Sequence, residues 1–378
     1  MGTGTAQHTH ITKRGRHAGT RQATEDGLVW YAPHEKPFKL AGFNWFHRDH
    51  VYRRLPVNVP LPPAIERLAW CCAGGQVRFT SDTDKLVVKA KLREPFGLDC
   101  VPFASPYGPE HMPQTGASGF DLYLGPPGAA CFHAVTRFPS GAGEYCCQLL
   151  NRTGREPLDF TLNFPLFNGV DEILIGLNPD ASVRPPPAYR LDQPVVVYGT
   201  SITHGGCASR PGSCYTNILS RRLNVPFVNL GFSGSGNGEP EVAKAIASVR
   251  NPALFVLDYE ANSGLDGLTK TLANFIAILR TRHKQTPILV VSKVRFAPEA
   301  LKSEPDSQRA REKCKAFQKG LVLKLRAAGD THLHFLDGST LLGKNYHECS
   351  VDGTHPTDQG FFKIADGLHP ILEKLLFA

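Results

Sequence analysis

The chain has 378 residues, 41% apolar and 20% charged, a balance that belongs to folded globular proteins and excludes a largely disordered chain. It is long enough for two domains with their own cores, and no apolar run approaches the ~18 residues that a membrane-crossing helix needs. Of the net charge of +8, Lys13, Arg14, Arg16 and Arg21 supply four before the first acid at Glu25, and the remaining +4 forms no aromatic-interleaved basic patch, which argues against nucleic acid as a partner.

Residues 1–25 are basic and contain no apolar stretch, so they are expected to form a disordered tail without a secretory signal, and the protein is expected to be cytoplasmic. The ten cysteines follow no regular spacing and include no CxxC pair. In the doublets Cys71-Cys72 and Cys146-Cys147, neighbours on a strand would face opposite sides, so neither doublet is expected to bridge internally. All are expected to be reduced, core-filling residues, except that Cys207 and Cys214, which flank Pro211-Gly212, leave open the closure of a small loop.

Residues 26–187 consist of short β-type segments cut by Pro and Gly: QVRFTS, KLVVKAKL, GFDLYLG, EYCCQLL, LDFTLNF and DEILIGL. Their length, their alternation and their frequent turn signals predict an antiparallel sandwich or jelly roll. After the proline-rich joint VRPPPAYRLDQP (183–194) the pattern changes. VVVYG, VPFVNLG, ALFVLDY, PILVVSK and LHFLDG are continuous apolar strands, as expected where helices cover both faces of a sheet. Between them run amphipathic segments at 214–223, 307–329 and 357–376, the last expected to kink at Pro370. Alternating β and α segments predict a doubly wound parallel sheet over 188–378, with its site at the carboxyl ends of the strands.

Ser201 follows VVVYGT directly, at such an end. Three other polar loops fall at strand ends or near the C-terminus: FSGSGNG with Gly234, YEANSG with Asn262, and SVDGTHP with Asp352 three residues before His355. An Asp-x-x-His step lets the carboxylate reach one imidazole nitrogen while the other points outward, the arrangement a serine needs from its base. Each fragment alone has a plain structural reading as a turn, an Asx motif or a helix entrance.

Together GTSITHGGCASRPG, NLGFSGSG, LDYEAN and DGTHP, with GFDLY (119–123) in the first half, resemble the SGNH (GDSL-type) hydrolases, in the branch whose N-terminal β-domain bears a GxDLY motif. The resemblance covers roughly residues 26–378. It implies Ser201 as nucleophile, His355 as base and Asp352 as its orienter. The oxyanion hole would be built from the Ser201 and Gly234 N–H groups and the Asn262 amide. It implies no cofactor and no metal. Thr200 stands where many members have aspartate, and His204 is a further local variant, so both are substrate-binding candidates. Asp121 and Tyr123 of GFDLY are candidate sugar contacts on a wall of the site.

The expected function is hydrolysis of short-chain, acetyl-type O-esters of a carbohydrate, with a small-molecule or glycan ester as partner and neither nucleic acid nor membrane. A broad short-chain carboxylesterase or thioesterase remains an alternative. Two rivals from other classes stay open. One is a metal hydrolase using His332, His334, His347, Cys349, Asp352 and His355; the other is a glycan-binding protein with an inactive second half.

Overall fold

In KLVVKAKL, Val88, Ala90 and Leu92 are buried while Lys89 and Lys91 face solvent, the period-two signature of a strand with one face on a core. The same logic builds the whole first half. The computed structural model describes residues 24–93, 104–105, 108–109, 111–301 and 305–378, so the expected tail lies outside the described residues except for its last two positions. The strands are β1 (Val29–Tyr31), β2 (Lys39–Ala41), β3 (Gln76–Ser81), β4 (Lys85–Leu92), the short hairpin β5 (Ala104–Ser105) and β6 (Gly108–Pro109), β7 (Asp121–Leu124), β8 (Cys131–Val135), β9 (Glu144–Asn151), β10 (Leu158–Asn163), β11 (Val170–Leu177) and β12 (Val183–Arg184). Short helices α1 (Phe46–Asp49), α2 (Pro63–Leu68) and α3 (Gln114–Ala117) lie between them. Two antiparallel sheets result, one ordered β1-β11-β4-β9 and the other β12-β3-β10-β7-β8 with β2 also on β3. Phe79, Phe120, Phe160 and Phe164 fill the space between them, with Phe79 stacked on Phe160 at 4.7 Å.

In the second half, β13 (Val195–Gly199), β14 (Phe227–Gly231), β15 (Leu254–Asp258), β16 (Ile288–Val291) and β17 (Leu333–Leu336) form one parallel sheet in the order β14-β13-β15-β16-β17. All five residues of VVVYG are buried, because helices cover both faces. These are α4 (Ser201–His204), α5 (Tyr215–Leu223), α6 (Pro240–Ala247), α7 (Glu260–Arg280), α8 (Pro305–Ala327) and α9 (Asp358–Phe377), the last continuing on both sides of Pro370. β13 lies between β14 and β15, so the chain leaves it first to one side and later to the other. That reversal opens a crevice at the carboxyl end of β13, where ligands of such sheets bind.

The packing crosses the sequence boundary at 187/188. Leu55, Ile65, Leu68 and Ala69, all from the first half, share a core with Val196, Tyr198, Val228 and Leu230 of the parallel sheet. Arg54 is fully buried, and donates to Cys71 O (2.9 Å), Leu68 O (2.6 Å) and, across the boundary, Gly231 O (2.6 Å). Carbonyl oxygens thus solvate a buried guanidinium that, among the described residues, has no carboxylate beside it.

The cysteine expectation needs a correction. All nine described cysteines are free, Cys207 and Cys214 included, and six are buried, but Cys131 and Cys146 are exposed and Cys147 is half-buried. The last three sit on β8 and β9, the edge strands of the two sheets. Cys71 and Cys72 lie in the turn after α2 rather than on a strand. No described helix is long and apolar enough to cross a membrane.

Candidate active site

Thr200 leaves β13 in an extended conformation and caps α4, so Ser201 becomes the first residue of a short helix at the crevice. Ser201 is 8% exposed. Its Oγ lies 2.8 Å from His355 Nε2, and His355 Nδ1 lies 2.6 Å from Asp352 Oδ2. The other oxygen of Asp352 accepts the backbone N–H groups of His355 (2.7 Å) and Thr354 (2.9 Å), which fixes the carboxylate against the ring it serves. Partial burial pushes the Asp352 carboxyl up, but the hydrogen bonds from the His355 ring, the His355 N–H and the Thr354 N–H outweigh it and hold the group at about 2. The 349–357 turn is itself pinned, by Val351 N to His355 O (2.8 Å) and Thr357 N to Cys349 O (2.9 Å).

Phe232 N donates to Gly199 O at 3.0 Å, so the 232–236 turn lies against the end of β13. Gly234 within it has φ of +65°, and a Cβ there would meet nothing within 4 Å: backbone conformation, not space, favours glycine. Asn262 stands in the first turn of α7, so the predicted strand-end loop is a helix start. Oriented by its hydrogen bonds, the Asn262 amide accepts at Oδ1 from Ser235 N and Gly236 N, both 3.2 Å, leaving Nδ2 as the donor for another group. Among the described residues, no acceptor takes the Ser201 or Gly234 N–H. Serine, imidazole, carboxylate and these donors therefore meet at one crevice. Such a set can attack a carbonyl and hold the oxyanion that results.

The four residues expected as substrate contacts are all buried. His204 is fully buried, donates through Nε2 to Leu166 O (2.9 Å) and stacks on Phe167 at 4.1 Å; burial, then the Arg54 guanidinium, keep it neutral. Thr200 is 1% exposed and spent as a helix cap. Asp121 and Tyr123 are buried as well, not on a wall. Asp121 accepts from Asn163 Nδ2 (2.7 Å), Gly212 N (2.8 Å) and Arg210 Nη1 (3.1 Å), and Arg210 also bonds the Tyr123 hydroxyl. GFDLY thus grips the loop that follows α4. Asp358 holds the same loop from the other side, accepting from Ser209 N at 2.8 Å.

Sequence reasoning missed His111. It comes from the first half, just ahead of α3, yet its Nε2 lies 3.2 Å from Asp352 Oδ2 and its ring 5.5 Å from that of His355. A histidine 241 positions before Asp352, in a stretch without regular pattern, gave no local signal. Asp258, at the end of β15, was passed over too: burial, then the charge of Glu260, push its carboxyl up to about 7. The proposed metal set around His332 and His334 does not assemble. Among the described residues the one grouping of three metal-capable side chains is His111, Cys207 and His355.

Residues 192–373 match the GDSL-like lipase/acylhydrolase family, and residues 28–183 match the N-terminal GxDLY domain of SGNH-hydrolase-type esterases. The chain belongs to the SGNH (GDSL-type) hydrolases. It is an esterase of the branch with a β-rich N-terminal domain. A Bacteroides ovatus protein described as a GDSL-like lipase is 27% identical, with a TM-score of 0.80 over 92% of this chain and 98% of its own. A salicylyl-acyltransferase from a tetracycline biosynthetic pathway is 18% identical, with a TM-score of 0.68 over 93% of this chain and 98% of its own. A family two carbohydrate esterase from Cellvibrio japonicus is 12% identical, with a TM-score of 0.59 over 92% and 98%. The last two share the fold of this esterase. The comparison with curated proteins finds no match.

Proposed function

We propose that the enzyme hydrolyses short-chain O-esters, acetyl esters of a carbohydrate above all, through a Ser201-His355-Asp352 triad and an acyl-enzyme. The observation that carries this reading is the unbroken run from Ser201 Oγ through the His355 ring to Asp352, at 2.8 and 2.6 Å, in the crevice beside β13. Neutral His355 takes the Ser201 proton as Oγ attacks the ester carbonyl. Asp352 keeps Nδ1 protonated, so that Nε2 is the basic nitrogen, and stabilises the imidazolium that forms. The Ser201 and Gly234 N–H groups and Asn262 Nδ2 receive the developing oxyanion. His355 then returns the proton to the leaving alkoxide, and water repeats the sequence on the acyl-enzyme.

The acetyl and carbohydrate parts draw on the shared fold. The fold is shared with a carbohydrate esterase of family two. In the chain itself, the β half is fastened to the loop after α4, so the two halves meet beside the serine. The test is an acyl-length series on aryl esters followed by a panel of acetylated glycans. Preference for acetate, with kcat/KM on an acetylated sugar above that on the matched aryl ester, supports the reading. Equal rates on long acyl chains, or thioesters preferred over O-esters, would replace it with one of its alternatives.

A further inference from the structure

The ligand-bearing atoms of His111, Cys207 and His355 lie within 4.8 Å of one another, although the three residues come from separate parts of the chain: the β half, the loop after α4 and the turn before α9. We propose that they form a zinc site, and that zinc bound there holds the esterase inactive. The role of the metal as an inhibitor rests on His355 serving as the base; the site itself does not.

Ligand chemistry selects the ion. One thiolate with two imidazoles is a borderline-soft set that suits zinc and leaves magnesium or calcium without their oxygen ligands. A tetrahedral zinc with bonds of about 2.3 Å to sulfur and about 2.0–2.1 Å to nitrogen holds its ligand atoms roughly 3.5 Å apart. From a span of at most 4.8 Å, small side-chain rotations close the difference. Water completes the fourth position.

Asp352 supports the same assignment. Its Oδ2 lies 2.6 Å from His355 Nδ1 and 3.2 Å from His111 Nε2, so one carboxylate touches both rings. Metal-bound imidazoles characteristically hold such a carboxylate on the nitrogen that does not bind the ion, which fixes the ring and raises its basicity. The Cys207 thiolate and the Asp352 carboxylate together balance the charge of a divalent ion. As the Zn–S bond forms, the Cys207 thiol gives its proton to solvent, and no redox step is involved. His355 Nε2 cannot bind zinc and take the Ser201 proton at once. Zinc and ester turnover therefore exclude each other through a single nitrogen, while Cys207, 3% exposed and packed in the core beside Ile202 and Cys214, takes no part in the proposed ester chemistry.

The test uses the full chain, freed of metal with a chelator and titrated with zinc alone. Zinc per chain is read by competition with a chromophoric chelator, and turnover by hydrolysis of an activated acetate ester, for the wild type, Cys207→Ala and His111→Gln. The expected result is one more zinc on the wild type than on Cys207→Ala, with turnover lost at saturating zinc and recovered on chelation. Cys207→Ala should keep its zinc-free turnover, and both variants should need at least about tenfold more zinc for the same inhibition. Should Cys207→Ala fold poorly, Cys207→Ser gives the same comparison with a near-isosteric side chain. Equal binding and equal inhibition across the three chains overturns the proposal, as does full turnover with zinc bound. A chain that shows the Cys207-dependent zinc but no esterase turnover would keep the site and remove its role as an inhibitor along with the proposed function.

Discussion

Asp121 Oδ2 accepts the Gly212 N–H at 2.8 Å, across 91 positions of sequence, and joins the β half to the loop that follows Ser201. Gly212 is forced to be small by the same contact: a Cβ there would meet Tyr123 Cε2 at 2.3 Å and Asp121 Oδ2 at 2.7 Å. Burial raises the Asp121 carboxyl, while Asn163 and Arg210 oppose that rise. Removing the carboxylate leaves Arg210 facing a cavity, so Asp121→Ala is expected to lower unfolding stability by about 3 kcal/mol. Gly212→Ala should act in the same direction by overpacking. Urea unfolding of both variants measures this, and unchanged midpoints would mean that the latch contributes nothing.

Asn262→Ala removes one donor from the turn-and-helix pair beside Ser201. Loss of an oxyanion donor is expected to lower kcat by roughly 10²–10³-fold with KM little changed. Steady-state kinetics on an aryl acetate decides it. A pure KM effect would assign Asn262 to substrate binding.

His355→Ala should damage turnover more than Asp352→Asn, because the first removes the base and the second only its orientation and its charge support. Asp352, held at about 2, stays ionised through the assay range, so activity lost on acidification between pH 4 and 7 has another origin. A base that must be neutral gives activity that rises with pH. Kinetics of the two variants and a pH–rate profile of the wild type check both points. The reverse ranking would exchange the roles.

Asp258 carries a pH signature in stability. Its folded value of about 7 lies above that of an unfolded aspartate, about 3.9, so between these values the native state binds the extra proton. Stability is then fully present below about pH 4 and declines as pH rises through about 7. Asp258→Asn cannot ionise, and it should gain on the wild type by at least about 1 kcal/mol between pH 5 and pH 8.5. Urea midpoints at the two pH values measure the difference, and parallel behaviour of the two proteins would contradict it.

The halves and their strands were legible because each strand type leaves its own pattern: alternation in KLVVKAKL, unbroken apolar residues in VVVYG. The polar stretches around Ser201, Gly234 and Asn262 were legible because each follows one of those strands, and Asp352 and His355 because of their own three-residue spacing. What escaped depends on pairing across long separations. Arg54 reads as one more basic residue until its donors are seen to reach Gly231 O, and His111 shows its neighbour only once the halves are docked. Asp121 and Tyr123 alternate with Phe120 and Leu122, as exposed residues would, but the loop after α4 covers the face on which they lie. His204 was misread for the same reason, since helix α4 turns it inward onto Phe167.

The central claim is that Ser201 is the nucleophile, and it is tested most directly by turnover of an activated acetate ester by Ser201→Ala folded like the wild type. The Oγ removed is the atom 2.8 Å from His355 Nε2. The account predicts a fall in kcat of roughly 10³-fold or more, with the unfolding midpoint unchanged. Retention of most of the activity by the folded variant would contradict it.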